Sequence, residues 1–350
     1  MAARPYQSET SRNLRITLML CAGLILSPGC RSGTDPLHVN SAPVSSVPSK
    51  KVASKVRPLT DRKFRRTPVR LARGRYLVNG IGECFACHGP IDLKAPGWPP
   101  VRGKEGSGFD MGSAGGVAPN LTPDRETGAG AWTDDMLARA IREGVTHDGR
   151  LLDPTIMPYE FYRLMSDEDM ASIIVYLRSL PPIRNALPKM TRKNIVTPYA
   201  IPIYGPIPQP DISTPVKRGA YLVQLGACQW CHTLRDENRH SLPGLEFAGG
   251  DLVANEFSQA SSANLTPDPS GISYYDETQF LKTMHLGKVG ARKISPQMPW
   301  WYFGHMTDGD LRAIFAYLRT LKPVHHRVDN TEPVTYCRIC KRKHHGGALN

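Results

Sequence analysis

A pentapeptide written twice restricts this chain more than any other feature. Cys84-Phe85-Ala86-Cys87-His88 recurs 144 positions later as Cys228-Gln229-Trp230-Cys231-His232. Other blocks recur in the same order. Tyr76-Leu77-Val78 returns as Tyr221-Leu222-Val223 at 145, and Asn120-Leu121-Thr122-Pro123-Asp124 as Asn264-Leu265-Thr266-Pro267-Asp268 at 144. Met157-Pro158 returns as Met298-Pro299, and Tyr176-Leu177-Arg178 as Tyr317-Leu318-Arg319, both at 141. Two copies of such length make two homologous domains, because a solenoid needs more and shorter repeats. We assign them to residues 68–184 and 214–324. The segment between, 185–213, sits in a stretch (183–215) with seven prolines; it reads as an extended linker draped over one domain.

Within each copy the elements read as helices. Residues 69–79 run as a short helix into the first Cys. Thr133 starts another, with Leu137 and Ile141 four apart on one face. Ser166-Asp167-Glu168-Asp169 is a capping signature, followed by Met170, Ile173, Ile174 and Leu177 at helical spacing before Pro181. Thr307 to Leu321 repeats that design, and strand-like alternation is scarce. The fold class is all-α, with each domain about 100 residues of short helices between long Gly/Pro loops. So little helix cannot enclose a core unless something large and apolar fills the middle.

The cysteine pairs indicate what that filling is. Two thiols three apart at a helix end can each form a thioether to a haem vinyl group, and the following His then faces the iron. A thioredoxin-like use needs a strand–helix context that is absent here. Zinc would need a second Cys/His pair within each domain, and neither offers one. We therefore expect two covalent haems c, on Cys84, Cys87 and His88 and on Cys228, Cys231 and His232.

A second axial ligand must come from across the pocket. His147 has no counterpart in the second copy and reads as an exposed loop residue. Two Met pairs align: Met157 with Met298, and Met165 with Met306. The latter pair directly precedes the helix caps Ser166 and Thr307, where an apolar residue packs as a staple. Met157 and Met298 lie in Pro-containing loops and are the expected iron ligands. A thioether opposite His raises the reduction potential.

Together, Cys-x-x-Cys-His, Asn-Leu-Thr-Pro-Asp, Met-Pro and Tyr-Leu-Arg make each copy similar to class I cytochrome c domains. The chain resembles in particular the cytochrome c subunits of periplasmic alcohol and gluconate-type dehydrogenases, over roughly two thirds of its length. The resemblance implies the same Cys and His residues as attachment sites and proximal ligands, with Met157 and Met298 as distal ligands. Those subunits often carry three such domains and this chain has two, a departure that bears on the partner. Asn120, Asn264, Trp132 and Tyr275 are candidates for the haem edge, with turn formation and packing as the alternative.

The ends of the chain read differently from its body. Arg4, Arg12 and Arg15 precede an apolar run, Ile16 to Leu26, that suits an export signal and is too short to span a bilayer. Ser27-Pro28-Gly29-Cys30 resembles a lipoprotein signal in which Cys30 is lipidated, although Ser27 stands where such signals favour Leu. An ordinary cleaved signal is the alternative. Residues 1–30 are thus the expected signal, and 31–67 a disordered tether with a reach on the order of 35 Å. Residues 1–75 hold 15 Lys/Arg against 3 Asp/Glu, whereas 76–321 hold 23 against 26. The positive excess is therefore peripheral and suits an anionic membrane surface; it argues against nucleic acid as a partner. In the basic tail, 325–350, Cys337-Arg338-Ile339-Cys340 lacks a following His. With His344 and His345 nearby, a zinc site at Cys337/Cys340 and a local disulfide both stay open.

The expected function is electron transfer between a periplasmic dehydrogenase or other donor and the respiratory chain, without substrate chemistry of its own. The alternative is a dihaem enzyme, a peroxidase or a thiosulfate-oxidising type, which needs an open or displaceable iron position. Both copies instead offer a Met at matching places.

Overall fold

The structure is a computed structural model that describes residues 56–112, 116–189, 198–236, 240–254 and 258–350. The expected signal, Cys30 and the tether up to residue 55 lie outside the described residues.

Helices dominate, and each long one begins where a short polar side chain can satisfy its first free N–H groups. Thr67 accepts from the Arg70 N–H at 3.2 Å, with Pro68 pre-set at the first helical position of Pro68–Asn79. Thr214 and Pro215 repeat this arrangement for Pro215–Leu225. Ser166 and Thr307 cap Asp167–Leu177 and Asp308–Leu318 through the Asp169 and Asp310 N–H groups, at 3.1 and 3.2 Å. Thr133 opens Asp134–Glu143, and Asp276 opens its counterpart Glu277–Leu286. Among the described residues the strands are two or three residues long and form four separate antiparallel pairs.

In each half the first long helix packs against the last. Pro68–Asn79 meets Asp167–Leu177, and Pro215–Leu225 meets Asp308–Leu318. The crossing is close because a glycine lies at it. A Cβ on Gly74 would fall 1.9 Å from the Ser172 carbonyl oxygen, and one on Gly219 1.9 Å from that of Ala313. Only the residue without a Cβ lets the backbones approach so nearly. The buried side chains of both halves join into one continuous cluster, from Leu77 and Ile174 to Leu222 and Ile314.

Two connecting segments are held down. Arg57 pairs with Asp135 at 2.7 Å and with Glu143 at 2.8 Å. The Thr60 and Phe64 N–H groups bond Asp135 and Asp134. The expected tether therefore does not run disordered to 67. Its basic composition reads as coil, but Arg57 meets two carboxylates buried on Asp134–Glu143. Residues 199–207 run against the first half. The Tyr199 carbonyl accepts from the Tyr159 hydroxyl at 2.7 Å, the Ile201 N–H bonds the Glu143 carbonyl, and the Ile207 carbonyl accepts from the Asp167 N–H. No helix among the described residues is long and apolar enough to cross a membrane.

Candidate cofactor site

The first Cys pair forms a single helical turn, Cys84–Cys87, that starts abruptly. Glu83 before it has φ 40°, in the left-handed region, and Ala227 before Cys228–His232 has φ 47°. Non-glycine residues held there carry backbone strain, and such strain concentrates at functional sites. The same unusual corner thus presents both Cys pairs. Crowding by apolar neighbours pushes the Cys84 and Cys228 thiols up to about 12, so both are protonated.

The two histidines are oriented alike. His88 Nδ1 lies 2.9 Å from the Pro119 carbonyl oxygen, and His232 Nδ1 lies 2.7 Å from that of Ala263. In each half the acceptor is 31 residues further along the chain. A carbonyl only accepts, so Nδ1 carries the proton and Nε2 presents its lone pair. Burial holds both imidazoles below their ordinary pKa and therefore neutral, against the smaller opposing effect of the carbonyl bond. A neutral imidazole anchored in this way is suited to bind a metal ion through Nε2.

The accepting carbonyls are fixed by the recurrent Asn-Leu-Thr turn. Asn120 accepts from the Thr122 N–H and hydroxyl and donates to the Ile183 carbonyl; Asn264 does the same with Thr266 and Val324. Both asparagines are buried and spent on the turn, so they form turns rather than an edge for a cofactor.

Beside His88 lies a cavity of about 470 Å³ lined by Cys84, Cys87, Trp132, Met157 and Leu137. Met157 sits in a loop, its N–H on the Asp153 carbonyl and its own carbonyl accepting from the Tyr159 N–H. Met298 makes the corresponding bonds, to Ser295 and from Trp300. Met165 also lines the cavity, and both it and Met306 are buried, at 2% and 3% exposure, just ahead of the helix caps.

Three features escaped the sequence. His147 is half-buried rather than an exposed loop residue; it stacks on Trp132 at 4.2 Å and lines the cavity. One wall of that cavity comes from the second half, through Pro296, Gln297, Pro299 and Tyr302. Glu83 lies near the Cys residues of both halves, adding to burial, the larger cause, in raising the pKa of Cys84, Cys87, Cys228 and Cys231. Each depends on long-range packing that no local spacing reveals.

The residues present fit a haem. The cavity is lined mainly by apolar side chains, and two neutral thiols, Cys84 and Cys87, and the His88 imidazole are part of its lining. Its size lies in the range of ligand sites.

No family model matches the chain. Curated relatives do. It is 31% identical to a nicotinate dehydrogenase polypeptide of Pseudomonas putida, across 72% of this chain and 21% of that one. It is 30% identical to the gluconate 2-dehydrogenase cytochrome c subunit of Pantoea cypripedii, across 71% of this chain and 59% of that one. A "diheme cytochrome c-type" protein of Cereibacter sphaeroides is 29% identical, across 69% and 83%. This chain is a relative of the cytochrome c subunits of dehydrogenases. Further cytochrome subunits, of fructose and quinone-dependent alcohol dehydrogenases, match at 26 to 27%. The chain spans about a fifth of the nicotinate dehydrogenase polypeptide and under two thirds of the gluconate dehydrogenase one. The helical architecture described above suits the cytochrome c relatives, and covalently bound haem c is the cofactor that their names imply.

Proposed function

We propose that this chain is an exported dihaem cytochrome c, with cytochrome c domains at 68–184 and 214–324. It passes electrons from a periplasmic dehydrogenase, or another donor, toward the respiratory chain. The observation that carries the reading is the matched pair of histidines, each with Nδ1 on a carbonyl 31 residues downstream and each following a Cys pair. A duplicated carrier needs this repetition; a single catalytic centre does not.

Haem c bound at such a site supplies reversible one-electron chemistry at iron. The rest is the work of this chain. Cys84 and Cys87, and Cys228 and Cys231, would hold the group by thioethers. His88 and His232 would bind iron through Nε2, with the carbonyl bonds fixing ring rotation and tautomer. Met157 and Met298 would close the opposite position and keep exogenous ligands out. The apolar lining excludes water, which limits reorganisation when charge arrives or leaves. The role of electron-transfer subunit rather than enzyme is supported by relatives named as cytochrome subunits.

The signal at 1–30, lipidation of Cys30 and a tether on the membrane face complete the proposal, supported by the sequence pattern alone. The test is direct. Protein made in a host with haem-maturation machinery should carry two haems that resist acidified solvent, and both should be low-spin. Replacing His88 should perturb one and spare the other. Cys30→Ser should release the protein from membranes. One haem or none by intact mass, or a high-spin haem that turns over peroxide, would overturn the reading.

A further inference from the structure

Four ligand-bearing side chains near the C-terminus play no part in either haem site. His326, Cys337, Cys340 and His344 are all buried, and one ligand atom from each lies within 4.8 Å of all the others. The local chain explains why they meet. Val334–Tyr336 and Lys343–His345 pair as a hairpin, and Cys337 and Cys340 stand in the turn between them. That turn is closed by the Cys337 N–H on the Arg342 carbonyl, 2.7 Å, and by the Lys341 N–H on the Cys337 carbonyl, 3.0 Å. Lys341 takes φ 58°, the left-handed conformation that a tight return demands. His344 comes from the returning strand. His326 comes from the segment after Asp308–Leu318.

The imidazoles decide the chemistry. His326 Nδ1 lies 2.9 Å from the Ala248 carbonyl oxygen, and His344 Nδ1 lies 2.8 Å from that of His345. Both acceptors fix the proton on Nδ1. The two Nε2 atoms face each other at 3.1 Å, and Cys337 Sγ is 3.6 Å from His326 Nε2. Two neutral rings anchored this way aim lone pair at lone pair. Relief by a proton would bury an imidazolium in a spot where both residues are 0% exposed. A cation between them removes the conflict. We propose that His326, Cys337, Cys340 and His344 form a closed structural zinc site.

The distances suit that ion. Bonds of about 2.3 Å to sulfur and about 2.0–2.1 Å to nitrogen put tetrahedral ligands roughly 3.3–3.8 Å apart. Two thiolates neutralise the divalent charge, and four protein ligands leave no open position, so the site is structural rather than catalytic. Of the two readings the sequence left open, a Cys337–Cys340 disulfide would leave the facing lone pairs unrelieved. His345 lies outside this group of four; its Nδ1 bonds the Ser261 hydroxyl at 2.9 Å. Through Ala248 the site also braces the second His, since the neighbouring Gly249 N–H bonds the His232 carbonyl. Zinc there would pin the tail to the wall of the second haem site.

The test uses the full-length holoprotein after dialysis against metal-free buffer. Mass-spectrometric metal analysis should find about one zinc for each pair of haem irons. Zinc-edge X-ray absorption, which is blind to haem, should show two sulfurs at about 2.3 Å and two nitrogens at about 2.0 Å. Cys340→Ser and His326→Ala should each lower the zinc content several-fold, while His345→Ala retains it. Absence of stoichiometric zinc, a shell without two sulfurs, or thiol mapping that finds a Cys337–Cys340 disulfide would overturn the proposal. The wild-type measurements decide even if the variants fail to fold.

Discussion

Tyr76 reaches across from the first half to donate its hydroxyl proton to Asp310 of the second at 2.5 Å, and Tyr221 returns the gesture to Asp169 at 2.8 Å. The two tyrosines correspond in the duplicated sequence, and so do the two aspartates. Each aspartate also receives an arginine from its own half, Arg73 to Asp169 and Arg218 to Asp310. Each tyrosine oxygen in turn accepts from the N–H of a capping residue, Thr307 or Ser166, at 3.2 Å. The halves thus meet about a pseudo-two-fold axis, each sealing the N-terminal end of the other's last long helix. The carboxylates sit where a helix end favours negative charge. Such a lock holds the two Cys-pair corners side by side, and Gly226 of one half lies against Ile81 of the other.

Tyr76→Phe and Tyr221→Phe should each destabilise the holoprotein by about 1–3 kcal/mol, the loss of a hydrogen bond to a charged acceptor. Tyr221→Phe should cost more, because Tyr221 is buried and Tyr76 only half so. Denaturant unfolding followed by haem absorbance reads the change. Equal stability of variant and wild type would mean that the apolar cluster alone joins the halves.

Arg57→Ala should detach residues 56–67 and leave Asp135 and Glu143 buried without their cation. Removing one partner of a buried pair costs about 3–5 kcal/mol. Desolvation pushes the Asp135 carboxyl up, but hydrogen bonds from Arg57 and the Thr60 N–H bring it below its ordinary value. A carboxylate lowered on folding contributes stability above its unfolded pKa, and that contribution fades as pH falls through its folded pKa. The penalty of Arg57→Ala should therefore be full at neutral pH and shrink in acid as Asp135 and Glu143, the latter already raised by burial, take up protons, as thermal unfolding at several pH values would reveal.

Local features were legible in the sequence because local rules govern them. Thr133, Ser166-Asp167 and Thr307-Asp308 each mark a helix start with a side chain that needs no distant partner. The ends were less so: the last helix stops at Leu318, and the run on to Leu321 is held by tighter three-residue bonds, from the Thr320 N–H to the Tyr317 carbonyl and from the Leu321 N–H to that of Leu318. The roles of Arg57 and His147 were invisible, since each is set by a partner well removed along the chain. The tail shows the same limit. Cys337 and Cys340 announced a pair, but the spacing left His344 and His345 equally open, and only the hairpin brings His344 and the remote His326 to the sulfurs.

Met157 and Met165 separate ligand from packing. If Met157 binds iron, Met157→Ala should abolish the weak long-wavelength Met–Fe(III) band of one haem, admit cyanide and lower that haem's potential. Met165→Ala should keep the band and instead cost about 2–5 kcal/mol, as a buried residue cut to Ala leaves a cavity. Met298→Ala and Met306→Ala should divide the same way at the other haem. If Met165→Ala removed the band while Met157→Ala kept it, the two roles would be exchanged.

If both Cys-His sites hold haem, Glu83 should give them a shared dependence on pH. Burial pushes its carboxyl up to about 8, so it is neutral at pH 7. A group raised above its unfolded value holds its proton in the fold while the unfolded chain loses it. Its contribution to stability therefore falls from about pH 4.5 to about pH 8 and is flat above. The same ionisation sets a negative charge beside Cys84 and Cys228, whose own pKa values already register it. Negative charge near iron favours Fe(III), so both potentials should drop as pH rises through about 8. A unit charge over ~10 Å at an effective dielectric of ~20 is worth about 1.5 kcal/mol, some tens of millivolts. Glu83→Gln, neutral at every pH and of nearly the same shape, should leave the potentials at about pH 6 unchanged and remove the drop between about pH 7 and 9. Redox titration of both proteins at the two ends of that range gives the comparison, and a drop that persists in Glu83→Gln would assign it to another group.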